Sequence, residues 1–339
     1  MKKLISILAA LAAMILIIVV ATMQPFVMVH SSGAPPANQE RLKTTVRHLS
    51  ETLYPRSFDQ PAKLAAAGAF VKDAFVAAGG RVSEQEVIVQ GERFSNIIAR
   101  FGPEFGPESG PVLVIGAHYD SHGDAVTAAK SGKKYSGASH TPGADDNASG
   151  VAGLIELAHM LGKSAPRRPV ELVAYTLEEP PHFRTQDMGS ARHAQLFKSR
   201  ERSIELMISL EMIGYFSDAP DSQDFPVPGM GLIYPTTGNF IAVVSRWQDW
   251  QQTRRLKAVM AGASDLPIYS INTFPAIPGV DLSDHLNYWA LDIPAIMVTD
   301  TAFNRNKAYH EAGDTYDRLD YARMAKVVQG VYAFAINRN

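Results

Sequence analysis

The sequence predicts an α/β fold, a three-layer α/β/α sandwich with a mixed, largely parallel central sheet, preceded by one N-terminal transmembrane or signal helix. Continuous apolar runs of strand length, typical of doubly covered central strands, occupy residues 112–117, 170–177, 204–210 and 294–299. Helical patterns alternate with these runs, which favours parallel strands with helices on both faces. The chain of 339 residues, 46% of them hydrophobic, is long enough for one catalytic domain.

Residues 1–23 have the character of a membrane segment. Lys2 and Lys3 precede an uncharged apolar run, and the next basic residue is Arg41. A run of about 20 residues is long enough to cross a bilayer as a helix, and the lysines place its start in the cytoplasm. Two interpretations stay open, an uncleaved anchor and a signal peptide cleaved near residues 19–21. We expect a bacterial cell-envelope protein, either anchored in the inner membrane with its catalytic domain in the periplasm or outside, or secreted.

Residues 24–39 are rich in Pro, Ser and Gly without periodicity, so we expect a linker, followed by one domain over 40–339. Further helices are expected at 40–53, 61–78, 148–161, 189–197, 256–262 and 320–336, and further strands at 81–89 and 95–101. The formal charge of -2 does not suggest a nucleic-acid binder. Since the chain has no cysteine, disulfides and a lipid-bearing cysteine are excluded.

Side chains that bind metals follow three of the predicted strands. His118 follows the first, Glu178 and Glu179 the second, and Glu211 the third, while loops contribute Asp145, Asp146 and His310. Imidazoles and carboxylates without a thiolate suit a catalytic zinc site. Two histidines and three carboxylates exceed what one tetrahedral ion needs, so we expect two ions that share a carboxylate.

Each of these residues alone has an ordinary structural explanation. A histidine after a strand is more often hydrogen-bonded within the protein, and paired glutamates are usually solvated. Asp120, however, lies two residues from His118 on the same side of an extended segment, where it can hold the imidazole. Glu178 and Glu179 follow a buried strand, where two charges are costly unless a metal or protons compensate them. Together these features favour the metal site.

The motifs AHYDS, PGADDNASG, the EE pair, LEMIG, SDH and YHEAGDTYDRLD occur in this order and resemble the M28 family of zinc exopeptidases. That family includes bacterial aminopeptidases and glutamate carboxypeptidases. The resemblance extends from about residue 42 to the C-terminus and implies a zinc-exopeptidase, phosphorylase/hydrolase-like fold. It also implies a peptide substrate.

The resemblance implies a role for each matching position. Asp146 would bridge two zinc ions, with His118 and Glu211 completing one site and Glu179 and His310 the other. Glu178 would be the general base and acid, and Tyr309 could hydrogen-bond the oxyanion. The supporting residues around the ligands would be Asp120, Asp145 and Asp284.

The sequence also departs from the family pattern. Many relatives carry Asp where Glu211 stands, and the longer side chain could shift the metal spacing. The longer segment after Glu179 suggests a wall of the substrate pocket, with Phe183 and Arg184 as candidate contacts. The segment before His310 adds Phe303 and Arg305, which lie close to that histidine in the sequence. For Arg184, plain solvent exposure explains the sequence equally well. His122 and His140 flank a loop and are expected on the surface.

These observations favour an exported, membrane-anchored zinc exopeptidase, and an aminopeptidase in particular. The alternatives within the family are a carboxypeptidase, favoured if the arginines bind a substrate carboxylate, and a glutaminyl cyclase, favoured by a single bound zinc. A receptor-like member without catalysis is disfavoured because all five ligands and Glu178 are present. The sequence makes no prediction of the oligomeric state.

Overall fold

A computed structural model describes residues 2–104, 110–123, 140–199 and 203–337. One eight-stranded sheet runs through the domain in the order β1-β2-β4-β3-β5-β8-β6-β7. Its strands are β1 (Arg81–Val89), β2 (Glu92–Phe101), β3 (Val112–His118), β4 (Val170–Tyr175), β5 (Ile204–Glu211), β6 (Ile241–Arg246), β7 (Ile268–Thr273) and β8 (Ala295–Thr299).

The centre of the sheet is parallel, and on each side of it the neighbouring strand runs in the opposite direction. Strands β4, β3, β5 and β8 run parallel to one another, whereas β1 and β2 form an antiparallel hairpin beside them. Strands β6 and β7 are parallel to each other and antiparallel to β8. The mixed, largely parallel sheet is thus confirmed. Strands β6 and β7 were not predicted. Strand β6 follows a long irregular segment, and β7 has polar residues at its buried positions.

Helices cover both faces, as the sequence predicts. They are α1 (Lys2–Met23), α2 (Gln39–Arg47), α3 (Pro61–Ala77), α4 (Gly150–Leu161), α5 (Gly189–Ser199), α6 (Trp250–Ala261), α7 (His285–Trp289) and α8 (Tyr321–Ile336). Helices α2, α3, α4, α6 and α8 contribute to the larger apolar core on one face. Helices α5 and α7 pack on the other. This arrangement places the carboxyl ends of the parallel strands at one shared edge, where α/β proteins usually bind ligands.

The N-terminal segment differs from the rest of the fold in its exposure. Within the described residues, one stretch, Lys3–Met23, has the length and apolar composition of a membrane span, and none of it is buried in the protein. The following segment was expected to be a linker, yet it lies along the domain. Gln24, Ala34 and Ala37 are buried there. Its contacts use backbone groups and small side chains, which leave no periodic pattern in the sequence.

Arg56 fixes the loop that leads to the candidate metal ligands. Its buried guanidinium donates to the carbonyl oxygens of Tyr119 at 2.9 Å, Pro142 at 2.6 Å and Gly143 at 2.6 Å. Burial lowers the pKa of Arg56 to about 10, so the side chain stays charged at neutral pH. The arginine thereby joins the end of β3 to the loop before Asp146.

We expect Arg56→Ala to lower the free energy of unfolding by about 3 kcal/mol, because it leaves several buried carbonyl groups without a donor. Urea unfolding followed by circular dichroism measures the change. The matched control is Arg93→Ala, since the Arg93 side chain is 79% exposed and such surface pairs contribute little. Equal stability of the two variants would contradict a supporting role for Arg56.

Candidate metal centre

The candidate ligands meet at the carboxyl edge of the parallel strands. His118 is the last residue of β3 and Glu211 the last residue of β5. Glu178 and Glu179 follow β4, which pairs with β3 through His118 and Tyr175. Because parallel neighbours end at the same edge, these side chains converge although they are far apart in the sequence.

Two clusters of ligand atoms share Asp146. In the first, Nε2 of His118 lies 3.3 Å from Oδ1 of Asp146 and 3.4 Å from Oε2 of Glu211. In the second, Nε2 of His310 lies 3.1 Å from Oδ2 of Asp146 and 3.2 Å from Oε2 of Glu179. Within each triad all ligand atoms lie within 4.8 Å of one another. Asp146 thus directs one carboxylate oxygen toward each triad.

These triads fit zinc. Tetrahedral ligands at the usual Zn–N and Zn–O distances are separated by about 3.3 Å, which matches the four separations above. Moreover, Nε2 of His118, Oδ2 of Asp146 and Oε1 of Glu179 are buried without a hydrogen-bond partner among the described residues. Burying such groups is costly unless something compensates them, and a cation would do so. The donor set and its spacing therefore suit two adjacent zinc ions.

Glu178 lies beside the triads without belonging to either. Its Oε2 atom is 3.8 Å from Nε2 of His118. Burial raises the pKa of Glu178 well above its ordinary value; the carboxylates of Glu211 and Glu179 raise it as well, and His118 lowers it. A carboxyl group with a raised pKa is suited to take up and return a proton, as a general acid and base must.

Asp120 contacts His118 of the first triad and the loop that carries Glu179 of the second. Its two carboxylate oxygens accept hydrogen bonds from the backbone N–H groups of Glu178 at 3.2 Å and Glu179 at 3.0 Å. Oδ1 of Asp120 also lies 3.5 Å from Nδ1 of His118. The residue predicted to hold the imidazole therefore contacts the loop of the two glutamates as well.

The loop that carries Asp146 has an irregular backbone. Gly143 has a φ of +57°, and a Cβ atom there would lie 2.2 Å from the carbonyl oxygen of Asp146, so this position favours glycine. The peptide bond between Asp146 and Asn147 is cis. The Asn147 amide donates to the carbonyl of Leu210 and accepts from the N–H of Met212. Asn147 thereby ties this loop to the end of β5, beside Glu211.

Asp145 and Asp314 support the same loop. Asp145 accepts hydrogen bonds from the N–H of Gly214 and from the side chain of Asn306, and it belongs to neither triad. Asp314 accepts from the N–H groups of Asp145 and Asp146, and burial raises its pKa to about 7. The sequence prediction assigned no role to Asp314, although the residue lies in the motif that carries His310.

Glu211 is held by a hydroxyl group that the sequence prediction missed. The Ser283 hydroxyl donates to Oε2 of Glu211 at 2.8 Å and lies 2.9 Å from the hydroxyl of Ser209. This contact fixes the orientation of the Glu211 side chain. The neighbouring Asp284 is fully buried, and burial raises its pKa to about 7, although the charge of His118 lowers it.

Two rings stack on the imidazole of His310. Tyr309 does so with ring centroids 3.8 Å apart and His122 with centroids 4.0 Å apart. The prediction that His122 lies on the surface was wrong, since it is 8% exposed; burial lowers its pKa to about 4. His140 is half-buried and contacts Asp59. Residues 124–139 between the two histidines lie outside the described part of the chain.

A large apolar cavity opens beside the metal ligands. It has a volume of about 880 Å³, including its open mouth, and both Glu211 and Tyr309 border it. Its wall comes from β6, β7 and the loops around them, and its aromatic lining consists of Phe225, Tyr234, Phe240, Tyr269 and Phe303. The cavity is thus shaped to receive an apolar group next to the metal centre.

The four candidate pocket residues have different surroundings. Phe303 lines the cavity, whereas Phe183, Arg184 and Arg305 are not among its lining residues. Arg184 forms an ion pair with Asp281 at 2.7 Å. Arg305 is buried and donates to Gln223 and to the carbonyl oxygens of Tyr215 and Phe240. Burial behind a cavity wall cannot be recognised from the sequence of the loop.

The fold and the paired triads define a class of α/β proteins with a candidate metal site at the strand ends, and comparisons with known proteins identify the family. Residues 96–335 match peptidase family M28. The Escherichia coli K12 protein YfbL is 50% identical over 318 residues, which cover 93% of each chain. This chain belongs to peptidase family M28.

Other similar proteins are named as aminopeptidases or glutaminyl cyclases. A probable aminopeptidase of Saccharomyces cerevisiae, YDR415C, is 25% identical over 65% of this chain, which spans 52% of that protein. The LapA aminopeptidase of Legionella pneumophila has a TM-score of 0.66 at 21% identity, over 88% of this chain and 71% of its own. A glutaminyl cyclase of Bacteroides thetaiotaomicron has a TM-score of 0.65 at 18% identity, over 91% of this chain and all of its own. At these identities the two structures show a shared fold alone.

Proposed function

We propose that the protein is an exported, membrane-anchored, zinc-dependent aminopeptidase. The observation that carries the proposal is the pair of triads that share Asp146. Beside them lies a buried carboxyl group, Glu178, that belongs to neither triad. Membership of family M28 supports hydrolysis of peptide bonds. Paired triads favour a peptidase over a glutaminyl cyclase, which we would expect to use one zinc ion.

His118, Asp146 and Glu211 would hold one zinc ion, and Asp146, Glu179 and His310 the other. When bound, the zinc ions would supply Lewis-acid activation of water and of the scissile carbonyl group. Glu178 takes a proton from the attacking water and returns it to the leaving amine. Its raised pKa suits the second of these transfers. Tyr309, stacked on His310, donates a hydrogen bond to the oxyanion that develops on the substrate.

The charge of the site favours the amino end of a peptide over the carboxyl end. Glu178, the carboxyl group that belongs to neither triad, would attract a terminal ammonium group and repel a terminal carboxylate. None of the described residues that line the cavity is a lysine or arginine. Arg184 and Arg305, the two candidates for binding a carboxylate, are engaged in other contacts. We therefore propose that the apolar cavity receives the first side chain of the substrate.

The experiment that tests the function compares three substrate types with the full-length, zinc-loaded protein. These are a leucyl anilide, the same compound with an acetylated amine, and a peptide blocked at its N-terminus but free at its C-terminus. An aminopeptidase cleaves the first alone. Cleavage of the third would show a carboxypeptidase, and cyclisation of an N-terminal glutaminyl peptide would show a cyclase. Full activity after the removal of zinc would refute the proposal.

Filling the cavity should change substrate preference. Ala242 on β6 lines the cavity, and Ala242→Phe would occupy space needed by a large side chain. We expect kcat/KM for a leucyl anilide to fall at least about 10-fold relative to that for an alanyl anilide, since each methylene that no longer fits costs about that much. Steady-state kinetics with both substrates measure the ratio.

The matched control is Val76→Phe, because Val76 on α3 is 56% exposed and far from the cavity. It should leave the leucyl-to-alanyl ratio unchanged. An unchanged ratio in Ala242→Phe as well would show that the substrate side chain binds elsewhere.

A further inference from the structure

Helix α1 ends against the catalytic domain. Lys257 on α6 is 6% exposed, and its ammonium group donates to the carbonyl oxygens of Met23 at 2.8 Å and Gln24 at 2.9 Å. The last carbonyl groups of a helix lack partners within the helix and carry partial negative charge. A buried lysine at this place therefore satisfies groups that would otherwise lack donors.

Strand β7 supplies further donors to the same helix end. The Ser270 hydroxyl donates to the carbonyl of Met23 at 2.7 Å, and the Asn272 amide donates to that of Thr22 at 3.2 Å. In return, the Gln24 side chain donates to the carbonyl of Trp250 at 2.8 Å. Helix and domain are thus joined by hydrogen bonds in both directions.

The contact continues along the segment after the helix. The N–H of Ser32 donates to the carbonyl of Gly262, and a Cβ atom on Gly262 would lie 2.0 Å from the carbonyl oxygen of His30. The N–H of Asn38 donates to the buried Glu156. The chain between the anchor and the domain is therefore held in place over much of its length.

Large apolar side chains are exposed around this junction. Phe26 is 76% exposed, Trp250 45% and Phe274 67%. Phe26 follows the helix, Trp250 begins α6 beside Gln24, and Phe274 follows β7. The ring of Trp247 lies 6.3 Å from that of Phe274. Tryptophan and other aromatic residues are enriched where a membrane protein crosses the interface between lipid and water.

We propose that the β7 edge of the domain is a membrane-contact surface formed by Phe26, Trp247, Trp250 and Phe274. The docked end of α1 holds this surface against the bilayer. The occupant is the lipid interface, because α1 is continuous with this edge and has the length and composition of a span. This inference rests on the proposed anchoring, but it is independent of the proposed chemistry.

The sheet separates this edge from the metal centre. Asn272 is aligned with Ser245, Ile296 and Ile208 across β7, β6, β8 and β5. Ile208 on β5 is three strands away from Asn272, or about 14 Å across the sheet. Glu211 lies three residues beyond Ile208, or about 10 Å further along β5. The metal ligands are therefore set back from the proposed lipid contact, although β7 itself also borders the apolar cavity.

The test uses the full-length protein in phosphatidylcholine vesicles with or without brominated acyl chains, which quench nearby tryptophan fluorescence. The chain has three tryptophans, of which Trp289 is 8% exposed. We expect brominated lipid to quench part of the fluorescence. The double variant Trp247→Phe/Trp250→Phe should lose this quenching, and the matched control Trp289→Phe should retain it.

The possible outcomes distinguish the membrane-contact surface from the membrane anchoring. Protein that floats with the vesicles without quenching, or with equal quenching in the double variant, overturns the membrane-contact surface. So does a detergent-stable dimer without quenching, because a second copy would then cover this edge. Protein that does not float with vesicles overturns the anchoring as well, whereas aminopeptidase activity would be unaffected by any of these results.

A second measurement tests the docking of the helix end. Lys257→Met removes the ammonium group, so hydrogen–deuterium exchange should quicken at the N–H of Gln24, which donates to the carbonyl of Val20. The exposed Lys63 provides the control, Lys63→Met. Equal exchange in both variants overturns the docking contact.

Discussion

Replacing Glu178 by glutamine is expected to lower kcat by about 100-fold to 10,000-fold, the range typical of a lost general acid and base. The amide has nearly the same shape as the carboxyl group, but it cannot take a proton from water or return one to the leaving amine. Because Glu178 belongs to neither triad, the variant should keep its zinc. Leucyl anilide kinetics and metal analysis of the same preparation measure both properties.

The control for this variant is Glu51→Gln, because the Glu51 side chain is 48% exposed and remote from the centre. It should match the wild type in both measurements. Undiminished turnover in Glu178→Gln would exclude Glu178 as the base. Loss of zinc together with turnover would instead assign Glu178 to the ligands.

The second large effect is expected for Asp146→Ala. One oxygen of Asp146 faces His118 and the other faces His310, so this substitution removes a ligand from both triads at once. We expect bound zinc to fall toward none and activity to be lost. Glu211→Ala affects one triad and should retain the other ion. Metal content after dialysis measures the difference.

Asp317→Ala is the matched control, because Asp317 is an exposed aspartate close to the metal-ligand motif in the sequence. It should retain the zinc content of the wild type. If Asp146→Ala lost no more zinc than Glu211→Ala, the proposal that Asp146 bridges two ions would be wrong.

Most of the candidate metal ligands were predictable because the apolar runs of the sequence show where the central strands end. His118 and Glu211 directly follow apolar runs, and parallel neighbours bring such positions to one edge. The family resemblance then supplied the pairing of ligands around Asp146. The structure brings all five candidate ligands together, with Glu178 beside them.

The remaining features depend on contacts between distant segments. Ser283 supports Glu211, and His122 stacks on His310, yet serines and histidines in loops have no pattern that reveals such neighbours. The buried positions of strand β7 are the polar residues Ser270 and Asn272, and its apolar signal is therefore weak. The contacts of residues 24–38 are made largely by backbone groups, which any sequence possesses.

The candidate metal site and the wall of the apolar cavity come from different parts of the sheet, which meet where β6 and β7 run opposite to β8. The candidate metal ligands and Glu178 come mainly from the ends of β3, β4 and β5, whereas the cavity wall comes mainly from β6, β7 and their loops. Substitutions in the wall can therefore change the shape of the cavity without replacing a candidate metal ligand. The size of the group that the cavity accepts and the composition of the metal site can thus be varied independently.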